Sequence, residues 1–118
     1  MKRLARMRGF FKPAREFEVD VSGNRASLYH DGQECFPAML EAIALARFEI
    51  LLEMYWFDSD ETGRMFAHAL STRAREGVRV LIIYDAVGSF GVDERMFDEM
   101  RAAGCEVLEY NPVAPFRR

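Results

Sequence analysis

The rhythm of apolar and polar residues changes several times along this chain, and each change marks an element. From Phe17 the period is two, with Phe17, Val19 and Val21 on one side and Glu16, Glu18 and Asp20 on the other. Ser22-Gly23-Asn24 reads as a turn, and Ala26, Leu28 and His30 resume the alternation until Asp31-Gly32 closes it. This is the pattern of a hairpin or of two edge strands. From Phe36 to Phe48 the rhythm becomes helical: Phe36, Met39, Leu40, Ile43 and Ala46 share a face, and Pro37 falls in the expected first turn. Alternation then vanishes. Ile50 to Phe57 is an apolar run broken only by Glu53, which predicts a strand covered on both faces.

Asp58-Ser59-Asp60 supplies a cap for a second helix, with Met65, Phe66, Ala69 and Leu70 expected inward and Gly77 as its stop. Val78 to Asp85 is a second apolar run, followed by the loop Ala86-Val87-Gly88-Ser89-Phe90-Gly91. Asp93 then caps a third helix carrying Met96, Phe97, Met100 and Ala103 inward, with Gly104 ending it. Cys105 to Tyr110 reads as a last strand, broken by Asn111-Pro112. Strands joined through helices predict an α/β layered fold, a mostly parallel sheet with flanking helices. The expected organisation is a basic N-terminal segment over 1–16, the α/β lobe over 17–112 and a C-terminal tail over 113–118.

Composition adds to this picture. Half the residues are apolar, enough for a core in a chain of 118 residues. The net charge of −3 hides an asymmetry, because Lys2, Arg3, Arg6, Arg8, Lys12 and Arg15 come before any acid. That segment, with Leu4, Met7, Phe10 and Phe11, suits a solvated tail or a peripheral anchor on the anionic inner membrane. The acidic remainder speaks against a broad nucleic-acid surface. No run reaches transmembrane length and no signal-peptide pattern is present, so the expected location is cytoplasmic, or peripheral at the inner membrane. Cys35 and Cys105 have neither CxxC nor zinc spacing and read as reduced thiols.

In open parallel sheets ligands bind beyond the carboxyl ends of the strands, where Asp58 and Asp85 fall. Glu53, a carboxylate in a run read as buried, needs a cation, hydrogen bonds or a proton. It reads equally as an acid that orients a catalytic group and as a structural acceptor. Asp85 precedes a glycine loop, where it either orients a ligand or accepts from the N–H of Gly88 or Ser89. That loop, ahead of a helix, has the makings of an anion cradle, although its spacing matches neither GxGxxG nor GxxxxGK[ST]. His30 reads as a turn histidine and His68 as a residue at the core boundary; neither belongs to a metal-ligand cluster. No metal and no cofactor is expected.

The pieces Asp31-Gly32-Gln33-Glu34, Phe36 to Ile43, Ile50 to Phe57, Gly63, Phe66 to Leu70, Gly77 to Val80, Asp85 to Ser89, Cys105 to Val107 and Asn111-Pro112 occur in a specific order and spacing. Over Gly23 to Pro112 they resemble the start of a bacterial cardiolipin synthase, a family of the phospholipase D superfamily. The resemblance implies a partial phospholipase D-like lobe and phosphatidyl transfer on an anionic phospholipid, phosphatidylglycerol. In that family a histidine of a HxKxxxxD motif forms a phosphohistidine, the motif lysine binds the phosphate, and the histidine of a second lobe protonates the leaving alcohol, without a metal. The first motif follows the Asn-Pro segment in such relatives, and neither His30 nor His68 has a lysine two residues later. This chain by itself is therefore expected to be non-catalytic, and to self-associate or pair with a C-terminal part through an open sheet edge. Within it, Glu53, Tyr55, Asp85 and Ser89 are the residues expected nearest the active site. Rival readings are a non-catalytic interaction module, part of a phospholipase D-superfamily nuclease, and a receiver domain, which the lack of any lysine after Lys12 discounts.

Overall fold

A computed structural model describes residues 18–112; the basic segment expected over 1–16 and the tail over 113–118 lie outside them. The chain falls into two compact units that divide between Glu41 and Ala42. The first holds the expected hairpin, β1 (Glu18–Val21) antiparallel to β2 (Asn24–Ser27). Ser22 and Gly23 both have positive φ, 51° and 81°. This is the two-residue turn whose twist suits a hairpin, and it makes Asn24 the first residue of β2 rather than part of the turn.

Helix α1 (Gly32–Leu45) begins in this unit and ends in the next. Asp31 Oδ1 accepts from the Glu34 N–H at 3.1 Å, and Glu34 Oε2 accepts from the His30 N–H at 3.2 Å. Such reciprocal capping fixes the start of a helix. It starts α1 earlier than expected, so Pro37 lies inside the helix and not in its first turn, with no N–H to offer the Gln33 carbonyl.

The second unit is the α/β body: β3 (Glu49–Met54), α2 (Glu61–Arg75), β4 (Arg79–Asp85), α3 (Glu94–Ala102) and β5 (Glu106–Tyr110). The three strands are parallel in the order β3-β4-β5, with Leu52 beside Ile82 and Ile82 beside Val107. Both helices start as expected. Asp60 Oδ1 accepts from the Gly63 N–H at 2.7 Å, and Asp93 Oδ1 from the Arg95 N–H at 3.1 Å. Gly77 and Gly104 end them with φ of 89° and 102°, a region that glycine enters without strain.

Helix α2 packs on α3 and β4, and α3 on β5. Val80, Ile82 and Tyr84 of β4 and Val107 of β5 are buried, together with Phe66 and Leu70 of α2 and Met96, Phe97 and Met100 of α3. Phe97 is fully buried, stacked on Tyr84 with ring centroids 4.2 Å apart and tilted against Phe57 at 5.7 Å.

The expectation of a strand covered on both faces fails, for a topological reason. Successive right-handed crossovers in a single direction lay both helices on the same face of the sheet. The strands are therefore half-covered rather than sandwiched: β3 alternates in burial and Leu51 is 64% exposed. Leu51, Glu53, Leu81, Ile83 and Leu108 share the opposite face by register. The apolar run also outlasts its strand, since β3 ends at Met54. Helix α2 is turned slightly from the predicted orientation, with Ala67 and Ser71 buried while Met65 and His68 are exposed. Both cysteines are free, Cys35 half-buried and Cys105 buried. Burial pushes the Cys105 thiol up in pKa, partly offset by a hydrogen bond with Ser71.

Candidate functional site at the strand carboxyl ends

Adjacent strands β3 and β4 finish level with each other, Met54 beside Tyr84, and release the loops 55–60 and 86–93. Two serine hydroxyls stitch the loops together. The Phe57 N–H donates to Ser89 Oγ at 3.0 Å, and the Asp93 N–H donates to Ser59 Oγ at 2.9 Å. Backbone contact between the loops needs glycine: a Cβ on Gly88 would stand 2.0 Å from the Tyr55 carbonyl oxygen. Where the first loop enters α2, a Cβ on Gly63 would stand 1.8 Å from the Asp58 carbonyl oxygen.

Asp85 organises the second loop. Its Oδ1 accepts from the N–H groups of Val87 at 2.9 Å and Gly88 at 3.0 Å, and its Oδ2 accepts from Asn111 Nδ2 at 3.3 Å. The Gly88 N–H is the chief cause holding this carboxyl below the usual carboxylate range; partial burial opposes it, and Val87 and Asn111 assist. Because the folded pKa is lowered, the stabilisation is fully present above the ordinary carboxylate range and is lost as pH falls through the lowered value. Thermal unfolding of the native chain and of Asp85→Asn should thus differ at neutral pH and converge below about pH 4. A gap that stays constant on acidification would remove the carboxylate from this account.

The anion-cradle reading of the loop does not survive. The N–H groups of Val87 and Gly88 go to the Asp85 side chain, that of Ser89 to the Asp85 carbonyl and that of Phe90 to the Val87 carbonyl. Little is left for a phosphate. Glu53 is exposed on the open sheet face, so it is not a buried carboxylate in need of a cation. The open face that leaves Leu51 in solvent is the cause. Tyr55 stands at the rim, 70% exposed, with its carbonyl against Gly88. Ser89 is buried and its oxygen is engaged by Phe57.

Tyr55, Asp85 and Ser89 are thus brought together, and Glu53 lies apart on β3. The sequence reading missed Asn111, Ser59 and Phe57. Asn111 has a detectable signal, an asparagine closing a strand before proline, and its φ of 51° is one that asparagine tolerates. Trp56 and Phe90, 66% and 84% exposed, add aromatic surface to the same rim. Among the described residues no group of His, Cys, Asp and Glu is placed to hold a metal, and no helix is long and apolar enough to cross a membrane. The rim offers polar and aromatic groups on two loops that are hydrogen-bonded to each other.

No protein-family model matches the chain. A cardiolipin synthase of Geobacillus thermodenitrificans is 36% identical over 90 residues, covering 76% of this chain and 18% of the relative. Cardiolipin synthase 1 of Bacillus anthracis is 35% identical over 73% of this chain and 17% of its own. The major cardiolipin synthase of Bacillus subtilis is 35% identical over 80% and 20%. A crystal structure of polyphosphate kinase from Porphyromonas gingivalis covers 63% of this chain and 12% of its own at 23% identity and a TM-score of 0.46, a likeness too loose to bear on function. Over three quarters of its own length, then, the chain is a relative of the bacterial cardiolipin synthases, and it spans about a fifth of theirs.

Proposed function

We propose that this chain supplies part of one lobe of a cardiolipin synthase-like phosphatidyltransferase, acting on the anionic phospholipid phosphatidylglycerol. The identity of about 35% to several cardiolipin synthases over most of the chain carries this reading. In it, the phosphohistidine forms on HxKxxxxD motifs that residues 1–118 do not contain, and the chain alone does not catalyse. The strand carboxyl ends frame the phosphodiester: the loop held by Asp85 and Ser89 sets the position of Tyr55, and Glu53 faces whatever covers the open side of the sheet. The basic segment 1–16 adds attraction to an anionic membrane surface.

The test is a full-length protein carrying this segment, assayed for cardiolipin formed from phosphatidylglycerol. Tyr55→Phe should lower kcat about tenfold, the scale of a misplaced positioning group, and Glu53→Gln, on the open face apart from the rim, should lower it less. Unchanged turnover in both would place these residues away from the chemistry. A second reading, a non-catalytic module pairing through its sheet, is favoured by the exposure of Leu51, Leu108 and Tyr110. Sedimentation equilibrium separates the two, because only the module requires a discrete, stable dimer of the 118-residue chain.

A further inference from the structure

Most described arginines are already paired with carboxylates: Arg25 with Asp20, Arg73 with Glu76, Arg79 with Glu49 and Glu106, Arg95 with Asp93 and Arg101 with Asp98. Among the described residues, and apart from Arg47, the basic side chains without a carboxylate partner in an ion pair are Arg64, His68 and Arg75. All three line one groove of about 160 Å³ between α2 and α3. The concentration is not explained by composition, since the chain has more acidic than basic residues. Nor does it serve packing, because all three side chains are exposed.

Helical spacing sets the geometry. His68, Ser71 and Arg75 follow at i, i+3 and i+7, so they stand along one edge of α2. His68 and Arg75 lie about 10 Å apart along the axis at 1.5 Å per residue, at the two ends of the same wall. Ser71 and Met100, both buried, form the floor, and Glu99 of α3 is the acid in the lining. Arg64 is anchored at the far end by its Nε, which donates to the Ser59 carbonyl at 2.8 Å, and adds charge from there. A guanidinium and an imidazole along one wall of the groove offer hydrogen-bond donors suited to a tetrahedral oxyanion.

We propose that the α2–α3 groove binds a phosphate monoester dianion between His68 and Arg75. The same chemistry is offered by free phosphate and by the phosphomonoester headgroup of a lipid. The groove binds it as a recognition site, with no bond made or broken.

The experiment titrates the full 118-residue chain with inorganic phosphate at fixed pH and at an ionic strength matched with chloride, reading arginine Nε–H and histidine ring resonances by NMR. Saturable shifts at His68 and Arg75 with one common Kd are expected. Arg75→Gln should weaken binding about fivefold, the scale of one exposed charged contact, and Glu99→Gln should tighten it. A second arm compares sedimentation with vesicles of phosphatidylcholine alone and with added phosphatidic acid. Binding to the phosphatidic acid vesicles that Arg75→Gln weakens by a similar factor identifies a lipid headgroup, and phosphate binding without vesicle binding identifies the free ion. Shifts that stay linear in phosphate, spread evenly over all arginines or persist unchanged in Arg75→Gln overturn the proposal. These readouts require no cardiolipin synthesis, so they stand or fall independently of the reading above.

Discussion

Phe97→Ala should lower the unfolding free energy of the α/β body by about 4 kcal/mol, the cost of removing a fully buried aromatic ring and leaving a cavity. Phe97 is 0% exposed and sits where α3 meets the sheet, stacked on Tyr84 and tilted against Phe57. The surrounding atoms cannot easily collapse into the gap. Tyr84 is fixed by the β4 ladder, and Phe57 belongs to the loop tied down through Ser89. A domain of this size has a total stability of roughly 5–15 kcal/mol, so the variant should be largely unfolded at modest denaturant. Urea unfolding followed by near-UV dichroism measures it. A loss under about 1 kcal/mol would mean that the ring cluster is not the centre of the core.

The second large effect is expected at Gly88. An alanine Cβ there would lie 2.0 Å from the Tyr55 carbonyl oxygen, and that oxygen belongs to backbone, which cannot swing aside as a side chain tip can. One loop must move, at a cost of about 3 kcal/mol, the upper part of the usual range for overpacking. Gly91→Ala is the matched control. Its φ is 99°, and an added Cβ would meet nothing within 4 Å, so only backbone strain of about 1 kcal/mol applies. If the two variants unfold at the same urea concentration, the loops do not touch as described. Where they do touch, Gly88→Ala should also displace Tyr55 and so carry a functional penalty beyond its loss of stability.

Much of the fold was legible in the sequence because its signals are local. Asp60 and Asp93 cap their helices, Gly77 and Gly104 stop them, and the inward stripe of Met96, Phe97 and Met100 follows helical spacing. What misled was non-local. The run Ile50 to Phe57 looks the same whether one face of its strand is covered or both, and only the common side of α2 and α3 decides that Leu51 and Glu53 face outward. The start of α1 was misplaced because Asp31 caps through Glu34, a pairing that looked like part of a turn.

The site was legible as a place but not as a network. Asp85 and Ser89 stand beyond the strand ends, where strand order alone puts them, yet the bond from Phe57 to Ser89 spans 32 residues of sequence and has no local signature. Nothing near Asp85 in sequence predicts that Asn111 completes its shell, because that contact depends on β5 pairing beside β4.

On the function proposed above, this segment does the structural work of the corresponding segment in a cardiolipin synthase. The most direct measurement replaces that segment of the Bacillus subtilis major cardiolipin synthase with residues 24–112 of this chain. The chimera is then assayed for cardiolipin formed from phosphatidylglycerol in a host lacking the activity. On this reading, measurable cardiolipin from the chimera, and its loss in the chimera carrying Gly88→Ala, are the expected results. A chimera that folds and accumulates like the parent but makes no cardiolipin would contradict it.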